Sequence, residues 1–348
     1  MTTLSFSSPP PSSLSTLKKS PIFPNSPIYP SLPQIPTSLK TLIPNFKPLQ
    51  SISAVSATTG SVADGGASGG TLKTRLKNGE TLYGIFLLSF SPTLAEIAGL
   101  AGYDFAVVDL EHGHGDISDA LPCLHALAAT CTPAILRIPE SNSTWAKKAL
   151  DVGPQGIMFP MIDGPKSARK AVSYCRFPPN GTRGSAHTVV RASGYGINEG
   201  YLSNYADDLL IMCQVECVDG VKKIEEIAAV DGVDCIQMGP LDLSASLGYL
   251  WDPGNKKVKE MMNVAEKGVL KSAPGDGGGA YLSGFAMPFD GPEKLKSRGY
   301  HMVSGAVDIG MFRNAAVEDV NKFKMSLVEG CDGDQKDSKD GEEKYWSE

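Results

Sequence analysis

The feature that most constrains the fold is an alternation of short apolar runs with longer amphipathic segments from residue 82 to residue 328. The short runs have the length of strands, whereas apolar residues recur at helical spacing in the longer segments. The strands are predicted at 82–88, 105–110, 134–137, 156–160, 209–215, 233–238, 280–286 and 302–305. The helices are predicted at 92–101, 117–129, 143–152, 165–175, 220–230, 255–271, 292–297 and 309–328. Eight strand-then-helix units predict an α/β fold of the closed, parallel (β/α)8 type, the TIM barrel.

Two segments interrupt this alternation, and one other architecture competes with the barrel. Residues 177–206 form a long connection between the fourth and fifth units, and long ordered loops in compact domains are commonly functional. Residues 272–279, rich in glycine, are typical of a surface insertion. An open, doubly wound sheet is the alternative fold. It is disfavoured because no glycine-rich phosphate-binding turn follows the first predicted strand.

Composition narrows the classes of partner. The chain has 348 residues, of which 41% are hydrophobic and 20% charged, which suits one barrel domain with extensions. Its formal charge of -6 and its scattered lysines and arginines give no reason to expect nucleic acid. No apolar stretch approaches the roughly 20 residues that cross a bilayer. We therefore expect small-molecule substrates and a protein that is not embedded in a membrane.

The two ends of the chain differ from the segment between them. Residues 1–66 are rich in Ser, Thr and Pro, contain no Arg, and have Asp64 as their first acidic residue. This composition predicts a transit peptide and a disordered linker, and with them a location in the plastid stroma. Residues 329–348 are a charged run that predicts a disordered tail. The barrel domain is assigned to 67–328, and its cysteines are interpreted as unpaired thiols because their number and spacing suit no disulfide framework.

Polar residues cluster where the predicted strands end. In a (β/α)8 barrel the active site lies at the carboxyl ends of the strands, so polar residues there carry functional information. Strand two ends in Asp109-Leu110-Glu111-His112, strand three in Arg137, strand five in Gln214-Val215-Glu216 and strand six in Gly239-Pro240-Leu241-Asp242.

Two of these carboxylates predict a metal site. Glu216 and Asp242 follow adjacent strands, which lie about 4.8 Å apart, so they can share a hard cation that keeps open positions for a ligand. For Asp242 alone, capping of the following helix is the competing interpretation.

Arg137 and His112 are the predicted polar and acid-base groups of the site. Arg137 would present its guanidinium to an oxyanion or a carboxylate, although a structural pair with Glu111 is the alternative. The imidazole of His112 titrates near neutrality, and Asp109 or Glu111 could fix its tautomer. No predicted strand contains a lysine, so metal-dependent enolate chemistry is favoured over Schiff-base chemistry.

These residues occur within a series of motifs that resembles a known family, the HpcH/HpaI aldolases, which are class II pyruvate aldolases of the phosphoenolpyruvate/pyruvate barrel superfamily. The resemblance extends over residues 82–316. The motifs are Asp109-x-Glu111-His112, Leu136-Arg137, Leu150-Asp151-Val152-Gly153, Pro178-Pro179-x-Gly181-x-Arg183-Gly184, Gln214-Val215-Glu216, Gly239-Pro240-x-Asp242-Leu243-Ser244 and Ser304-Gly305-x-x-Asp308.

The resemblance implies reversible cleavage of a 4-hydroxy-2-oxo acid to pyruvate and an aldehyde. It implies that Glu216 and Asp242 bind a divalent metal, which acts as a Lewis acid for the enolate. The implied ion is Mg²⁺, with Mn²⁺ or Co²⁺ as alternatives. Arg137 would stabilise the oxyanion, and His112, supported by Asp109, would handle the proton of the 4-hydroxyl or of a bound water.

The resemblance also implies how the substrate is held and how the chain assembles. Gln214 would line the pyruvate site, and Gly239, Pro240 and Leu241 are also expected to bind substrate. The backbone amides around Leu241 and Asp242 would hold the substrate carboxylate at a helix start. Asp151 matches an acid that such enzymes lend to a neighbouring subunit, in homo-oligomers that are commonly hexamers with a swapped last helix. Leu241 stands where smaller residues are common.

Two alternative functions remain open at this point. One is a lyase of the citrate lyase β-chain or malyl-CoA type, although the sequence shows no clear basic and aromatic surface for CoA. The other is a noncatalytic barrel that serves binding or assembly. The complete set of site residues argues against the second alternative.

Overall fold

The computed structural model describes residues 70–271 and 279–329, which belong to the second of two units of the chain, Asp64–Glu348. The predicted transit peptide, most of the predicted insertion and nearly all of the predicted tail lie outside the described residues. Eight parallel strands close into a barrel in chain order, and β8 pairs with β1. The strands are β1 Leu82–Leu87, β2 Phe105–Asp109, β3 Ala134–Arg137, β4 Gly156–Phe159, β5 Leu210–Val215, β6 Cys235–Met238, β7 Tyr281–Phe285 and β8 Met302–Val307. The predicted (β/α)8 fold is confirmed.

The helices surround the barrel, with two corrections to the prediction. The segment 220–230 forms two short helices instead of one, because Lys223, with φ -112° and ψ 19°, interrupts the helical backbone. Two helices, α6 and α9, were not predicted. The helices are α1 Leu72–Lys77, α2 Pro92–Ala101, α3 Ile117–Ala129, α4 Ser143–Asp151, α5 Pro165–Cys175, α6 Tyr201–Asp208, α7 Val218–Lys222, α8 Ile224–Ala228, α9 Pro240–Ser246, α10 Lys256–Leu270, α11 Pro292–Ser297 and α12 Asp308–Glu329.

Helix α1 precedes the first strand and was also not predicted. Its Leu72 and Leu76 are buried in the same apolar cluster as Leu82, Phe105 and Leu210 of the barrel interior. Burying a leucine side chain contributes about 1.5–3 kcal/mol. The helix thus packs against residues near the amino-terminal ends of the strands, and the interior is apolar at that end.

The register of the strands brings the polar residues together at the other end. Asp109 of β2 is paired with Arg137 of β3, and Gln214 of β5 is paired with Gln237 of β6. Because neighbouring strands are in register at their carboxyl ends, side chains from successive strands meet there. A second, larger apolar cluster packs between the sheet and the helices. The polar end of the barrel is therefore supported on all sides by packed elements.

The described part of the chain has no helix long and apolar enough to cross a membrane. The cysteines at 123, 131, 175, 213, 217 and 235 are free thiols. The expectation of unpaired thiols is confirmed for these six.

Candidate functional site

A cavity of about 200 Å³ opens at the carboxyl ends of the strands. It brings together eight of the ten residues predicted from the sequence, and Glu216 lies directly beside it. Apolar side chains from β1, β7, β8 and their loops complete the wall. The predicted residues that line it are Asp109, His112, Arg137, Gln214, Gly239, Pro240, Leu241 and Asp242.

Arg137 is held rigidly at the centre of this site. Its Nε donates to Asp109 Oδ1 at 2.8 Å, and its Nη2 donates to the other oxygen of the same carboxylate. The guanidinium also lies over the ring of Phe86, with 5.1 Å to the centroid, and Nη1 donates to Gln214 Oε1 at 3.3 Å. Burial alone would lower the pKa of Arg137, but the hydrogen bonds and charges of its acidic neighbours raise it. The side chain is therefore a fixed cation.

The carboxylate of Asp109 serves Arg137 and not the imidazole of His112. Asp109 Oδ1 accepts the backbone N–H groups of Glu111 at 3.0 Å and His112 at 3.4 Å, which fixes the turn after β2. The nearest acid to the imidazole is Glu111, whose Oε2 lies 3.9 Å from Nε2. Since the His112 side chain is 56% exposed, it can approach a substrate in the cavity. The structural alternative for Arg137, a pair with Glu111, exists beside the pair with Asp109.

Glu111 is a half-buried acid, and one of its carboxylate oxygens has no hydrogen-bond partner. Its Oε2 lies 3.0 Å from Arg137 Nη1, but the two groups do not have hydrogen-bond geometry, and this oxygen has no hydrogen-bond partner. Burial raises the pKa of Glu111 to about 7; Arg137 opposes this shift, and Asp109 and Asp242 add to it. The site therefore holds more negative charge than Arg137 neutralises.

Glu216 follows β5 and is 1% exposed. Its Oε1 accepts the backbone N–H of Met161 at 2.8 Å, and its Oε2 accepts Gln214 Nε2 at 2.5 Å. Burial raises the pKa of Glu216 to about 7, the two hydrogen bonds lower it, and the charges of Glu111 and Asp242 raise it further. The two hydrogen bonds hold the carboxylate of Glu216 in place, and Glu111 and Asp242 are the acids whose charges act on it.

Asp242 lies in the first turn of α9, one residue after Leu241. The cap residue of this helix is Gly239, and no side chain caps it, so the interpretation of Asp242 as a helix cap is not supported. Within the described ranges, 70–271 and 279–329, its carboxylate has no hydrogen bond or ion pair. A β-carbon at Gly239 would lie 2.5 Å from Glu216 Oε2, so the glycine lets the Glu216 carboxylate lie against the start of α9.

Asp151 lies away from this cavity. It ends α4, the helix that precedes β4, and its Oδ1 accepts Arg183 Nη2 at 3.2 Å. Within one chain it therefore cannot contact a substrate held at the carboxyl ends of the strands. The role of Asp151 in a neighbouring subunit stays a prediction.

Several lining residues were not predicted from the sequence. Gln237 of β6 is 3% exposed and lines the cavity. Its Oε1 accepts a hydrogen bond from Ser283 Oγ at 2.7 Å. Its place near the end of a strand is the signal that could have found it. The apolar residues carry no such signal, because their side chains resemble those of any core. They are Phe86, Leu88, Met238, Phe285, Met287 and Val307.

The chain is similar to characterised proteins over the whole barrel. The sequence model of the HpcH/HpaI aldolase/citrate lyase family matches residues 82–315. The 2-keto-3-deoxy-L-rhamnonate aldolase of Escherichia coli (strain K12) is 33% identical over 252 residues, which are 72% of this chain and 92% of that protein.

Two solved structures have the same fold. A HpcH/HpaI aldolase/citrate lyase family protein from Burkholderia cenocepacia J2315 has a TM-score of 0.67 and 33% identity, covering 73% of this chain and 98% of that one. The HpcH/HpaI aldolase from Desulfitobacterium hafniense DCB-2 has a TM-score of 0.66 and 26% identity, covering 74% and 97%. The chain therefore belongs to the HpcH/HpaI aldolase/citrate lyase family, and it is an aldehyde-lyase that cleaves a 2-oxo acid to pyruvate and an aldehyde.

Proposed function

We propose that Glu216 and Asp242 hold the divalent cation on which this family depends, and that the cation is Mg²⁺. The observation that carries the proposal is the charge of the site, which contains the acids Asp109, Glu111, Glu216 and Asp242. Among the described residues that line the cavity, Arg137 is the one lysine or arginine. A hard divalent ion with oxygen ligands neutralises such an excess. In the described ranges no group of three or more His, Cys, Asp or Glu side chains could hold a metal. Two protein carboxylates leave the remaining positions to water and substrate.

The first turn of α9 is proposed to bind the carboxylate of the 2-oxo acid. The first N–H groups of a helix have no partner within the helix, and in the described residues those of Leu241 and Asp242 have no other acceptor. They lie beside the cavity and next to the proposed metal ligands. The substrate head group would thus be held between the start of α9 and Arg137.

The residues of the chain then have separate tasks in the cleavage. A bound cation supplies Lewis acidity to the 2-oxo group. Arg137 donates a hydrogen bond to the oxygen that becomes negative, and its pair with Asp109 keeps it oriented for that purpose. His112 accepts the proton of the 4-hydroxyl as the carbon-carbon bond breaks, because its exposed ring can reach the cavity. Gln214 accepts a hydrogen bond from Arg137 and donates one to Glu216, which holds both side chains in place.

The aldehyde half of the substrate is proposed to be short. Phe86, Leu88, Leu241, Met287 and Val307 line the cavity, whose volume of about 200 Å³ has little room for a long chain. The Escherichia coli relative is named for 2-keto-3-deoxy-L-rhamnonate. That acid is the first substrate to test, followed by 2-keto-3-deoxy acids with shorter tails.

The chain is also proposed to form a homo-oligomer, a hexamer by the resemblance. Helix α12 has 22 residues, and its most extensive contacts are with β1 and β8. Its apolar side chains at 309, 311, 312, 317 and 320 are exposed. A second copy of the chain that covers this helix would bury them, in an assembly that brings Asp151 to a neighbouring site.

A plastid location is proposed from residues 1–66, whose composition is that of a transit peptide. A fusion of these residues to a fluorescent protein tests the proposal in plant cells. Import into the stroma with removal of the segment is expected, and a fluorescent signal that stays in the cytosol would contradict it.

The function is tested by exchange of the pyruvate methyl protons in D2O, which needs no knowledge of the aldehyde. Exchange followed by ¹H NMR is expected with Mg²⁺ and is expected to stop with EDTA. Asp242→Asn should abolish it, whereas Asp219→Asn, an exposed acid on α7, should leave it unchanged. Exchange that persists in EDTA would contradict the metal site, and no exchange with any metal would contradict the enolisation of pyruvate.

A further inference from the structure

A second cavity, of about 220 Å³, lies at the end of the barrel opposite the active site. Gln155 and Leu209, which line it, directly precede β4 and β5, so the cavity belongs to the amino-terminal ends of the strands. The active-site cavity is lined by residues at the carboxyl ends. We call this second cavity the amino-terminal cleft. Its polar lining residues include Gln155, Arg183, Asn198, Asn204, Tyr205 and Asp208.

The base of the amino-terminal cleft contains an arginine whose donors are not all used. Arg183 is 4% exposed, and its Nη2 donates to Asp151 Oδ1 at 3.2 Å. Its Nε is buried and has no hydrogen-bond partner. In the described part of the chain Nη1 has no acceptor either, but unlike Nε it is not fully buried. The guanidinium lies over the ring of Phe177, with 4.8 Å to the centroid, which fixes its plane. Nη1 is the donor that a molecule in the cleft can reach, so this arginine is suited to an oxygen ligand from outside the chain.

The rim of the cleft supplies further donors and one acid. Tyr205 Oη accepts the backbone N–H of Phe177 at 3.2 Å, which leaves its own hydrogen to donate. Asn198 Oδ1 accepts the N–H of Gly200 at 3.0 Å, so its amide nitrogen points elsewhere. Asn204 and Asp208 are exposed at the rim, on α6. A ligand would meet a cation at the base and mixed polar groups, including a carboxylate, at the opening.

We propose that the amino-terminal cleft binds a small carboxylic acid that carries a hydroxyl or amino group. The carboxylate would accept hydrogen bonds from Arg183, and the substituent would lie near Asn204 and Asp208 at the rim. A phosphate is a poorer fit, because its second charge would face Asp151 and Asp208. The acid has no part in the aldol reaction of the same chain. It would lie beside the Arg183–Asp151 pair, and Asp151 is the residue proposed above to act in a neighbouring subunit.

The test is isothermal titration of the full-length protein, loaded with Mg²⁺, with glycine, L-serine, glycolate and D-glycerate as probes. Acetate, which lacks the substituent, serves for comparison and is expected to bind more weakly than at least one probe. Arg183→Met should weaken binding about tenfold or more, the loss that corresponds to one charged hydrogen bond. Arg169→Met, at an exposed arginine on α5, is the matched control and should leave binding unchanged.

Two more variants keep the test decisive if Arg183→Met does not fold. Asn204→Trp places a large side chain at the exposed rim and leaves the Arg183–Asp151 pair intact, so it should block binding. Asp242→Asn alters the active site and should keep binding in the cleft. The proposal is wrong if no probe binds, if acetate binds as tightly as all four probes, or if Asp242→Asn abolishes binding while Asn204→Trp preserves it. It is also wrong if Asn204→Trp changes the molecular mass in light scattering, because the cleft would then be a contact between subunits.

Discussion

At the scale of single residues, the orientation of Arg137 depends on partners that surround it. Asp109 accepts hydrogen bonds from two of its nitrogens, Gln214 accepts one from the third, and the ring of Phe86 lies against the guanidinium. The group is therefore oriented before a substrate arrives, and preorganised donors are the largest source of transition-state stabilisation in many enzymes.

Arg137→Lys is predicted to keep the positive charge but to lose the pair of hydrogen bonds that the guanidinium donates to Asp109. We expect kcat to fall about 100-fold or more, the usual effect of removing one oriented donor from a developing oxyanion, with a smaller change in KM. Steady-state kinetics of the cleavage measure both constants. Arg75→Lys is the matched control, because Arg75 also bridges two acids, Glu80 and Asp104, but lies on α1 at the amino-terminal end. Equal decreases in kcat in the two variants would contradict the role of Arg137.

Glu216 leads to a prediction on pH. Its pKa is about 7 in the folded, metal-free chain against 4.5 for an ordinary glutamate, because it is buried among acids. Between these values the folded state binds more protons than the unfolded state, so metal-free stability falls as the pH rises through 7.

A cation competes with that proton. Mg²⁺ should therefore raise Tm more at about pH 8 than at about pH 6, as measured by calorimetry against EDTA. Glu216→Gln should remove most of the difference, and a larger effect at the lower pH would refute the assignment.

At the scale of elements, the junction between β6 and α9 places Asp242 beside Glu216. Gly239 is the last residue before the helix, and Gly239→Ala would place a methyl group 2.5 Å from Glu216 Oε2 and 2.7 Å from its Cβ. We predict a weaker affinity for Mg²⁺, by about tenfold or more, with the barrel still folded. Titration calorimetry measures the affinity.

Gly291→Ala is a close control for that prediction. Gly291 also caps a helix and also precedes a proline, Pro292 of α11, but a β-carbon there would have no neighbour within 4 Å. Its affinity for Mg²⁺ should match that of the unaltered chain. If both variants bind Mg²⁺ normally, the contact between Gly239 and Glu216 does not support the metal site.

At the scale of the whole molecule, α12 is predicted to hold subunits together. Phe312 is 74% exposed and lies among other exposed apolar residues of the same helix. Phe312→Asp should lower the molecular mass measured by light scattering, because the oligomer would dissociate when a carboxylate is buried in its interface. Leu250→Asp is the control, since Leu250 is 72% exposed but lies in the loop after α9. A monomeric unaltered chain would contradict the proposed oligomer.

Much of the architecture could be predicted from the sequence. All eight strands were predicted with each end within two residues of its observed position, because buried parallel strands are continuous apolar runs between turn signals. Helices α1, α6 and α9 were missed. Each has eight residues or fewer and is stabilised by contacts with distant segments, such as Leu72 with the barrel interior, and not by a long amphipathic pattern.

The sequence by itself determined the kind of barrel and the chemical groups at its mouth, since strand ends and residue types are local properties. Only the tertiary structure decided how those groups pair. Asp109 faces Arg137 instead of the ring of His112, because the register of β2 and β3 places the two side chains opposite each other. The separation of Asp151 from the cavity and the unused donors of Arg183 also depend on contacts between segments far apart in the chain. Such contacts follow from the closure of the barrel and from the packing of its loops, which no local pattern specifies.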